Sequence, residues 1–146
     1  MSAIPSSIQF FKADISYQIR SVNYLRLWLS EVAQTEGKTV QELNIILCSD
    51  EYLYKMNVDY LNHRTYTDII TFDQGTTKKA VSGELYISLD RVRDNANSLK
   101  ISVKDELHRV MVHGLLHLCG YGDKDPKSKK KMTLKEDFYL SKRSGF

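Results

Sequence analysis

One segment that is apolar on nearly every side constrains the fold more than any other part of the chain. Residues 110–118 read VMVHGLLHL, in which only two histidines and a glycine interrupt the aliphatic residues. On a helix these side chains would point in almost all directions, which is typical of a buried helix. Ser102, followed three residues later by Asp105, resembles a capping box and predicts where this helix begins. The sequence therefore predicts a buried helix.

Four short segments around this helix have the composition of strands. Residues 43–48 (LNIILC) form a continuous apolar run, as expected for a strand buried on both faces. Residues 68–73 (DIITFD) and 83–89 (GELYISL) are separated by a short turn-like segment, which predicts an antiparallel hairpin. A first strand is predicted within residues 8–15. The whole chain, 1–146, is predicted to be one α/β domain with a four-stranded mixed sheet and about five helices.

Composition and charge favour a soluble protein. Apolar residues make up 42% of the chain and charged residues 27%, and no apolar run of membrane-spanning length occurs. The first residues contain no basic leader followed by an apolar block, so a cytoplasmic location is expected. Cys48 and Cys119 lie inside apolar runs and are predicted to be buried thiols, not a disulfide.

Two histidines on the predicted buried helix are candidate metal ligands. His113 and His117 are four residues apart, which places their side chains on the same side of a helix. The alternative is that each imidazole simply hydrogen-bonds to a buried carbonyl group. Gly120 and Gly122 let the chain reverse after the helix, which would return Asp123 to the histidines as a third ligand. Two histidines and one carboxylate leave a fourth position open, as in catalytic zinc sites.

Two neighbouring residues limit this interpretation. Asp125 is a rival third ligand, although its place before Pro126 favours a role as the cap of a last helix. Common zinc peptidases carry a glutamate directly after the first histidine as general base, and here that position is Gly114. A peptidase is therefore disfavoured.

Three segments closely resemble the YbeY family of bacterial ribosomal RNA maturation factors. They are HGLLHLCGYGD (113–123), NHRTYTDIITFD (62–73) and GELYIS (83–88). The first departs from the family pattern at its end, where Gly122 replaces the usual aspartate and Asp123 replaces the usual third metal-binding histidine. Because aspartate is also a zinc ligand, this replacement is compatible with an intact site.

The resemblance implies a metal-dependent, single-strand-specific endoribonuclease that acts in small-subunit ribosomal RNA maturation and ribosome quality control. It implies one Zn²⁺ per chain, or another divalent transition metal, and Arg64 as a catalytic residue that binds phosphate. Thr67 and Asp68 match the family's Thr-Asp pair and are candidate substrate-binding residues. Lys127 and Lys130 belong to a lysine-rich segment that would bind the RNA backbone.

The expected partners are single-stranded RNA, the small ribosomal subunit and its assembly factors, without membrane or DNA. Two alternatives remain open. One is a non-catalytic ribosome-assembly factor whose metal is structural, and the other is a metal-dependent hydrolase of another substrate. The net charge of +3 is too small to establish a polyanionic partner by itself.

Overall fold

A four-stranded sheet separates two unequal layers of the protein. The computed structural model describes residues 4–144. The strands are β1 (Ile8–Lys12), β2 (Thr39–Cys48), β3 (Ile69–Asp73) and β4 (Ala80–Ser88), in the spatial order β1-β2-β4-β3. β2 pairs in parallel with both β1 and β4, whereas β3 pairs with β4 as an antiparallel hairpin. The predicted mixed sheet and hairpin are confirmed.

Five helices complete the described part of the chain, as predicted. They are α1 (Val22–Thr35), α2 (Asp50–Leu61), α3 (Leu89–Leu99), α4 (Val103–Leu118) and α5 (Pro126–Leu140). Short polar side chains cap four of them, because Ser49, Ser88, Ser102 and Asp125 each accept a hydrogen bond from a first-turn backbone N–H. None of the helices within residues 4–144 is both long and apolar enough to cross a membrane.

The main core lies on one side of the sheet, which we call the inner face. Helices α1, α4 and α5 bury apolar side chains there, in one cluster with residues of the central strands. The strand residues include Leu43, Ile45 and Leu47 of β2 and Leu85 of β4, all of which are fully buried. Alternate residues of β2 thus contribute to the inner face, as the pleat of a strand requires.

The opposite side of the sheet, which we call the outer face, has a much smaller core. Within residues 4–144, helix α2 covers it, with Leu53 packed against Cys48 and Ile70. Both cysteines are free thiols, as predicted; Cys48 is buried and Cys119 is half-buried. The two faces therefore differ strongly in how much apolar surface they bury.

Helix α4 occupies the centre of the inner face, as the sequence predicted. It contacts β3, β4, α1, α3 and α5, and ten of its sixteen residues are buried. Gly114 allows its close approach to the sheet, because a Cβ there would lie 2.7 Å from Ile69 Cδ1 and 2.8 Å from Leu85 Cδ2. The last turns of α4 are thus held firmly against the hairpin.

Candidate metal centre

The C-terminal end of α4 brings together the three predicted metal ligands. The Nε2 atoms of His113 and His117 are 3.0 Å apart. Asp123 Oδ2 lies 3.3 Å from Nε2 of His113 and 3.2 Å from Nε2 of His117. One ligand atom from each residue therefore faces a common point, with all three atoms within 4.8 Å of one another.

A tight reversal after α4 returns Asp123 to the helix. The backbone N–H of Gly120 donates to the carbonyl of His117 at 3.0 Å, and that of Tyr121 donates to Leu116 at 3.0 Å. Gly120 has a φ of 108°, a conformation that glycine adopts without a steric penalty. The predicted reversal is confirmed, and Gly120 occupies the position of the turn whose backbone conformation favours glycine.

The second nitrogen of each histidine has a hydrogen-bond partner of its own. His113 Nδ1 lies 2.6 Å from Glu136 Oε2, and His117 Nδ1 lies 2.8 Å from the backbone oxygen of Tyr121. Because a carbonyl oxygen only accepts, Nδ1 of His117 carries a hydrogen, and in the neutral ring Nε2 then has the lone pair that a metal requires. Metal-binding histidines are commonly oriented in this way. The donor set therefore fits a divalent metal.

The buried carboxylate behind His113 belongs to an ion-pair network that extends to the surface. Arg109 Nη1 donates to Glu136 Oε1 at 2.9 Å, and Arg109 Nη2 donates to Asp137 Oδ1 at 2.8 Å. Burial alone would lower the pKa of His113, but the hydrogen bond and charge of Glu136, together with the charges of Asp123 and Asp68, raise it. The surroundings of the histidines are thus anionic and favour a cation.

Asp125, the rival third ligand, is engaged elsewhere. Its Oδ1 accepts a hydrogen bond from the backbone N–H of Ser128 at 2.8 Å, and its Oδ2 accepts one from Ser128 Oγ at 2.9 Å. These backbone and side-chain hydrogen bonds lower the pKa of Asp125. Asp125 therefore caps α5, and the structure favours Asp123 as the third ligand.

The predicted RNA-binding residues before β3 differ in what the structure shows of their relation to this centre. Asp68, at the entry to β3, is near enough for its charge to act on His113. Thr67 is half-buried and donates through Oγ1 to the carbonyl of Ile69 at 3.4 Å. Arg64 is exposed on the preceding loop and forms no hydrogen bond or ion pair with another residue of the described range 4–144. Its catalytic role stays a prediction.

Lys127 and Lys130 are exposed on the first turns of α5, which begins directly after the turn that carries Asp123. Lys131 and Lys135 continue along this helix, and their Nζ atoms lie 5.4 Å and 5.5 Å from the centre of the Tyr121 ring. Several lysines of α5 thus follow the turn that carries Asp123. Its binding of RNA stays a prediction.

The sequence interpretation missed the acidic residues that support the histidines. Met132, Glu136 and Tyr139 are the buried residues of α5, so Glu136 is an acid within an otherwise apolar stripe. Glu106 occupies a comparable place among the buried residues of α4. An acidic residue at apolar spacing on a helix is the signal that would have identified both.

Glu106 is a second buried acid of the inner face. Its Oε1 forms no hydrogen bond among the described residues, and the residue is only 4% exposed. Burial raises the pKa of Glu106; Arg109 opposes the shift, whereas the charges of Asp68 and Glu136 add to it. Glu106 therefore sits in the same anionic region as His113.

A large groove lies away from the metal ligands, on the outer face. Its volume is about 760 Å³, and α2, β3 and β4 line it. The aromatic residues along it are Tyr52, Tyr60, Phe72 and Tyr86. None of the three predicted metal ligands contributes to this groove. The groove and the three candidate metal ligands thus lie on different sides of the sheet.

Comparison with known proteins identifies the family. Residues 8–144 match the sequence profile described as "Endoribonuclease YbeY". A protein named Endoribonuclease YbeY from Cytophaga hutchinsonii is 53% identical over 137 residues, covering 94% of this chain and 96% of the relative. Another of that name from Flavobacterium johnsoniae is 50% identical over 110 residues, covering 75% and 78%. The resemblance seen in the sequence is confirmed.

A solved structure shows the same fold. The solution structure of a Thermotoga maritima protein superimposes with a TM-score of 0.64 at 27% identity, covering 92% of this chain and 87% of the other. Sequence and fold agree over most of the chain, so the protein belongs to the YbeY endoribonuclease family.

Proposed function

We propose that this protein is a metal-dependent, single-strand-specific endoribonuclease that acts in small-subunit ribosomal RNA maturation and ribosome quality control. The observation that carries the proposal is the convergence of His113, His117 and Asp123, with both imidazoles oriented by further hydrogen bonds. RNA as the substrate rests on membership in a family whose relatives are named endoribonucleases.

The proposed cofactor is one Zn²⁺ ion per chain. Two imidazole nitrogens and one carboxylate oxygen suit zinc, and other divalent transition metals accept the same ligands. When bound, the ion supplies Lewis acidity toward a phosphoryl oxygen or a water molecule. The protein's contribution is to hold the ligands in place, for which Glu136 and the carbonyl of Tyr121 provide the contacts.

The remaining residues are proposed to bind the RNA. The exposed guanidinium group of Arg64 can form paired hydrogen bonds to a phosphate. Thr67 and Asp68 lie at the entry to β3 and are proposed to contact the substrate. Lys127 and Lys130 would bind the RNA backbone along α5.

The proposed partners are single-stranded RNA, the small ribosomal subunit and its assembly factors, in the cytoplasm. The second candidate function is a non-catalytic assembly factor with a structural metal. The position of Asp123 favours this candidate, because a metal bound by Asp123 and the two histidines would hold the turn after α4 against that helix. The lysines of α5, which follow this turn, would then bind RNA without cleaving it.

RNA cleavage by the purified full chain tests the proposal. The substrates are a single-stranded RNA and its duplex, incubated with Zn²⁺-loaded protein or with protein treated with a chelator. We expect cleavage of the single strand only, loss of products after chelation, and a strong decrease in Arg64→Ala. Arg20→Ala removes a comparably exposed arginine and serves as the matched control.

Two outcomes would contradict the nuclease assignment. Cleavage that survives both chelation and Arg64→Ala would indicate a contaminating nuclease or a different active site. RNA binding without products in any metal-loaded sample would favour the assembly-factor candidate.

A further inference from the structure

Glu36 lies at the end of α1, far in sequence from the metal ligands, yet it contacts the turn that follows α4. The hydroxyl of Tyr121 donates to Glu36 Oε1 at 2.6 Å. Lys135 Nζ donates to Glu36 Oε2 at 3.2 Å, and the hydroxyl of Tyr139 donates to the same oxygen. Two tyrosines and one lysine therefore converge on a single carboxylate.

The location of Glu36 is unfavourable for an acidic residue considered alone. It is the C-cap of α1, where the helix dipole disfavours negative charge, and its side chain is only 9% exposed. Burial opposes ionisation, but the hydrogen bonds from Tyr121, Tyr139 and Lys135 hold the pKa of Glu36 below its ordinary value. The negative charge of Glu36 is thus stabilised by the same tyrosines and lysine that it binds.

Tyr121 connects this carboxylate to the metal ligands. Its backbone oxygen accepts the hydrogen bond from His117 Nδ1 at 2.8 Å. It stands between Gly120 and Gly122, neither of which has a side chain to hold the turn. The hydroxyl contact with Glu36 is therefore one restraint on the position of the carbonyl group that orients His117, beside the backbone hydrogen bond from Tyr121 to Leu116 and the packing of the Tyr121 ring against the core.

We infer that Glu36 is a positioning residue for the metal centre, which acts by fixing Tyr121 and, through its carbonyl group, the ring of His117. The inference rests on the proposed metal site but does not depend on RNA as the substrate. Groups that orient metal-binding histidines typically change metal affinity by about 10–100-fold when they are removed. Glu36 acts one step further away, so the lower end of that range is expected.

Tyr139 provides a matched control. Its hydroxyl donates to the same carboxylate, but among the described residues the structure records no hydrogen bond between Tyr139 and His113, His117 or Asp123. Tyr121→Phe and Tyr139→Phe each remove one hydroxyl group from Glu36. Only Tyr121→Phe also releases the residue whose carbonyl group orients His117.

The experiment measures Co²⁺ and Zn²⁺ affinity of the full chain by competition with a chelator, together with the visible absorption of bound Co²⁺. We expect Tyr121→Phe and Glu36→Ala to weaken binding by about tenfold and to alter the Co²⁺ spectrum. Tyr139→Phe, and Glu36→Gln, which keeps an acceptor for Tyr121, should stay within about threefold of the unmodified protein.

Wild-type affinity and an unchanged spectrum in Tyr121→Phe would overturn the inference, as would an equal loss in Tyr139→Phe. Tyr121→Phe keeps the test valid if Glu36→Ala does not fold. If the unmodified protein binds neither ion, the proposed metal centre fails, and this inference fails with it. Failure of the nuclease proposal alone would leave the affinity comparison intact.

Discussion

The inner and outer faces of the sheet differ in how their polar groups are held. On the inner face, both imidazoles of the proposed metal centre have defined partners in Glu136 and the Tyr121 carbonyl group. On the outer face, Tyr60 is 72% exposed beside an open groove of about 760 Å³. Oriented ligands, and not the size of a cavity, distinguish the face that is suited to metal chemistry.

This difference follows from packing. Helix α4 is enclosed by neighbours, and both of its candidate metal-binding imidazoles have hydrogen-bond partners within the protein, whereas Glu106 Oε1 has none among the described residues. Helix α2 buries only Leu53 and Asn57, and several of its other side chains are exposed. On the inner face the candidate ligands therefore lie among buried and hydrogen-bonded neighbours, and four predictions test the contrast between the faces.

The largest effect is expected from removing a metal ligand. His117→Ala should weaken Zn²⁺ binding by more than about a thousandfold, about 4 kcal/mol, and should abolish RNA cleavage. Tyr60→Ala, on the outer face, should leave metal affinity unchanged. Competition with a chelator measures the Zn²⁺ affinities. Equal losses of affinity in the two variants would contradict the difference between the faces.

A buried histidine of the inner face should make stability depend on pH. Burial, together with the charges of Arg143 and Lys104, lowers the pKa of His108 from 6.5 to about 4. As the pH decreases, the unfolded chain therefore binds a proton at His108 before the folded protein does. The free energy of unfolding should fall by about 3 kcal/mol as the pH decreases from about 6.5 to about 4. Urea unfolding at several pH values measures this change in the free energy of unfolding.

His108→Gln should remove this part of the pH dependence, whereas His63→Gln, on an exposed loop, should keep it. The same slope in the unmodified protein and in His108→Gln would show that His108 is not responsible.

An added carbon at Gly114 should force the buried side chains around it to shift. A Cβ there would lie 2.7 Å from Ile69 Cδ1 and 2.8 Å from Leu85 Cδ2. Gly114→Ala should therefore lower the free energy of unfolding by about 1.5 kcal/mol, because a repacking cost of about 2.5 kcal/mol exceeds the gain of about 1 kcal/mol in helix propensity. Gly122→Ala meets no heavy atom within 4 Å, and it should change the free energy by less than about 0.5 kcal/mol. Similar unfolding midpoints for both variants would contradict the close packing of α4.

The smallest effect concerns the buried carboxyl group of Glu106 on the inner face. Because its pKa is raised, Glu106 favours folding at low pH and loses that contribution as the pH increases. Glu106→Gln should therefore stabilise the protein by about 1 kcal/mol at pH ~8 and by less at pH ~4. Glu31→Gln, at an exposed position, is the control. A stabilisation by Glu106→Gln that is smaller at the higher pH than at the lower would reject this explanation.

Much of the fold was predictable because its signals are local. The nearly continuous apolar segment identified α4, the spacing of Ser102 and Asp105 identified its cap, and the short turn-like segment identified the antiparallel hairpin. Residues 39–42 of β2 were missed because they contain no continuous apolar run; they pair with β4 through an irregularity between Val40 and Glu42. Pairing with β4, which is distant in sequence, therefore determines this part of β2, which the local residue pattern does not predict.

The residues of the proposed metal centre could be selected from the sequence for the same reason, whereas the residues that support them could not. His113, His117 and Asp123 lie within one helix and the turn that follows it. Glu136 and Glu36 reach this region from other helices, through contacts that only the packed fold creates. A local motif thus identified the donor atoms, whereas the tertiary structure determines how they are oriented.

The most direct test of the proposed metal centre is the metal content of untagged protein, measured by elemental analysis. The unmodified chain is compared with Asp123→Ala and with Asp125→Ala, which alters the cap of α5 instead. We predict near-stoichiometric metal in the unmodified protein and in Asp125→Ala, and a large loss in Asp123→Ala. Metal retained in Asp123→Ala, or absent from all three proteins after reconstitution, would contradict the proposed centre.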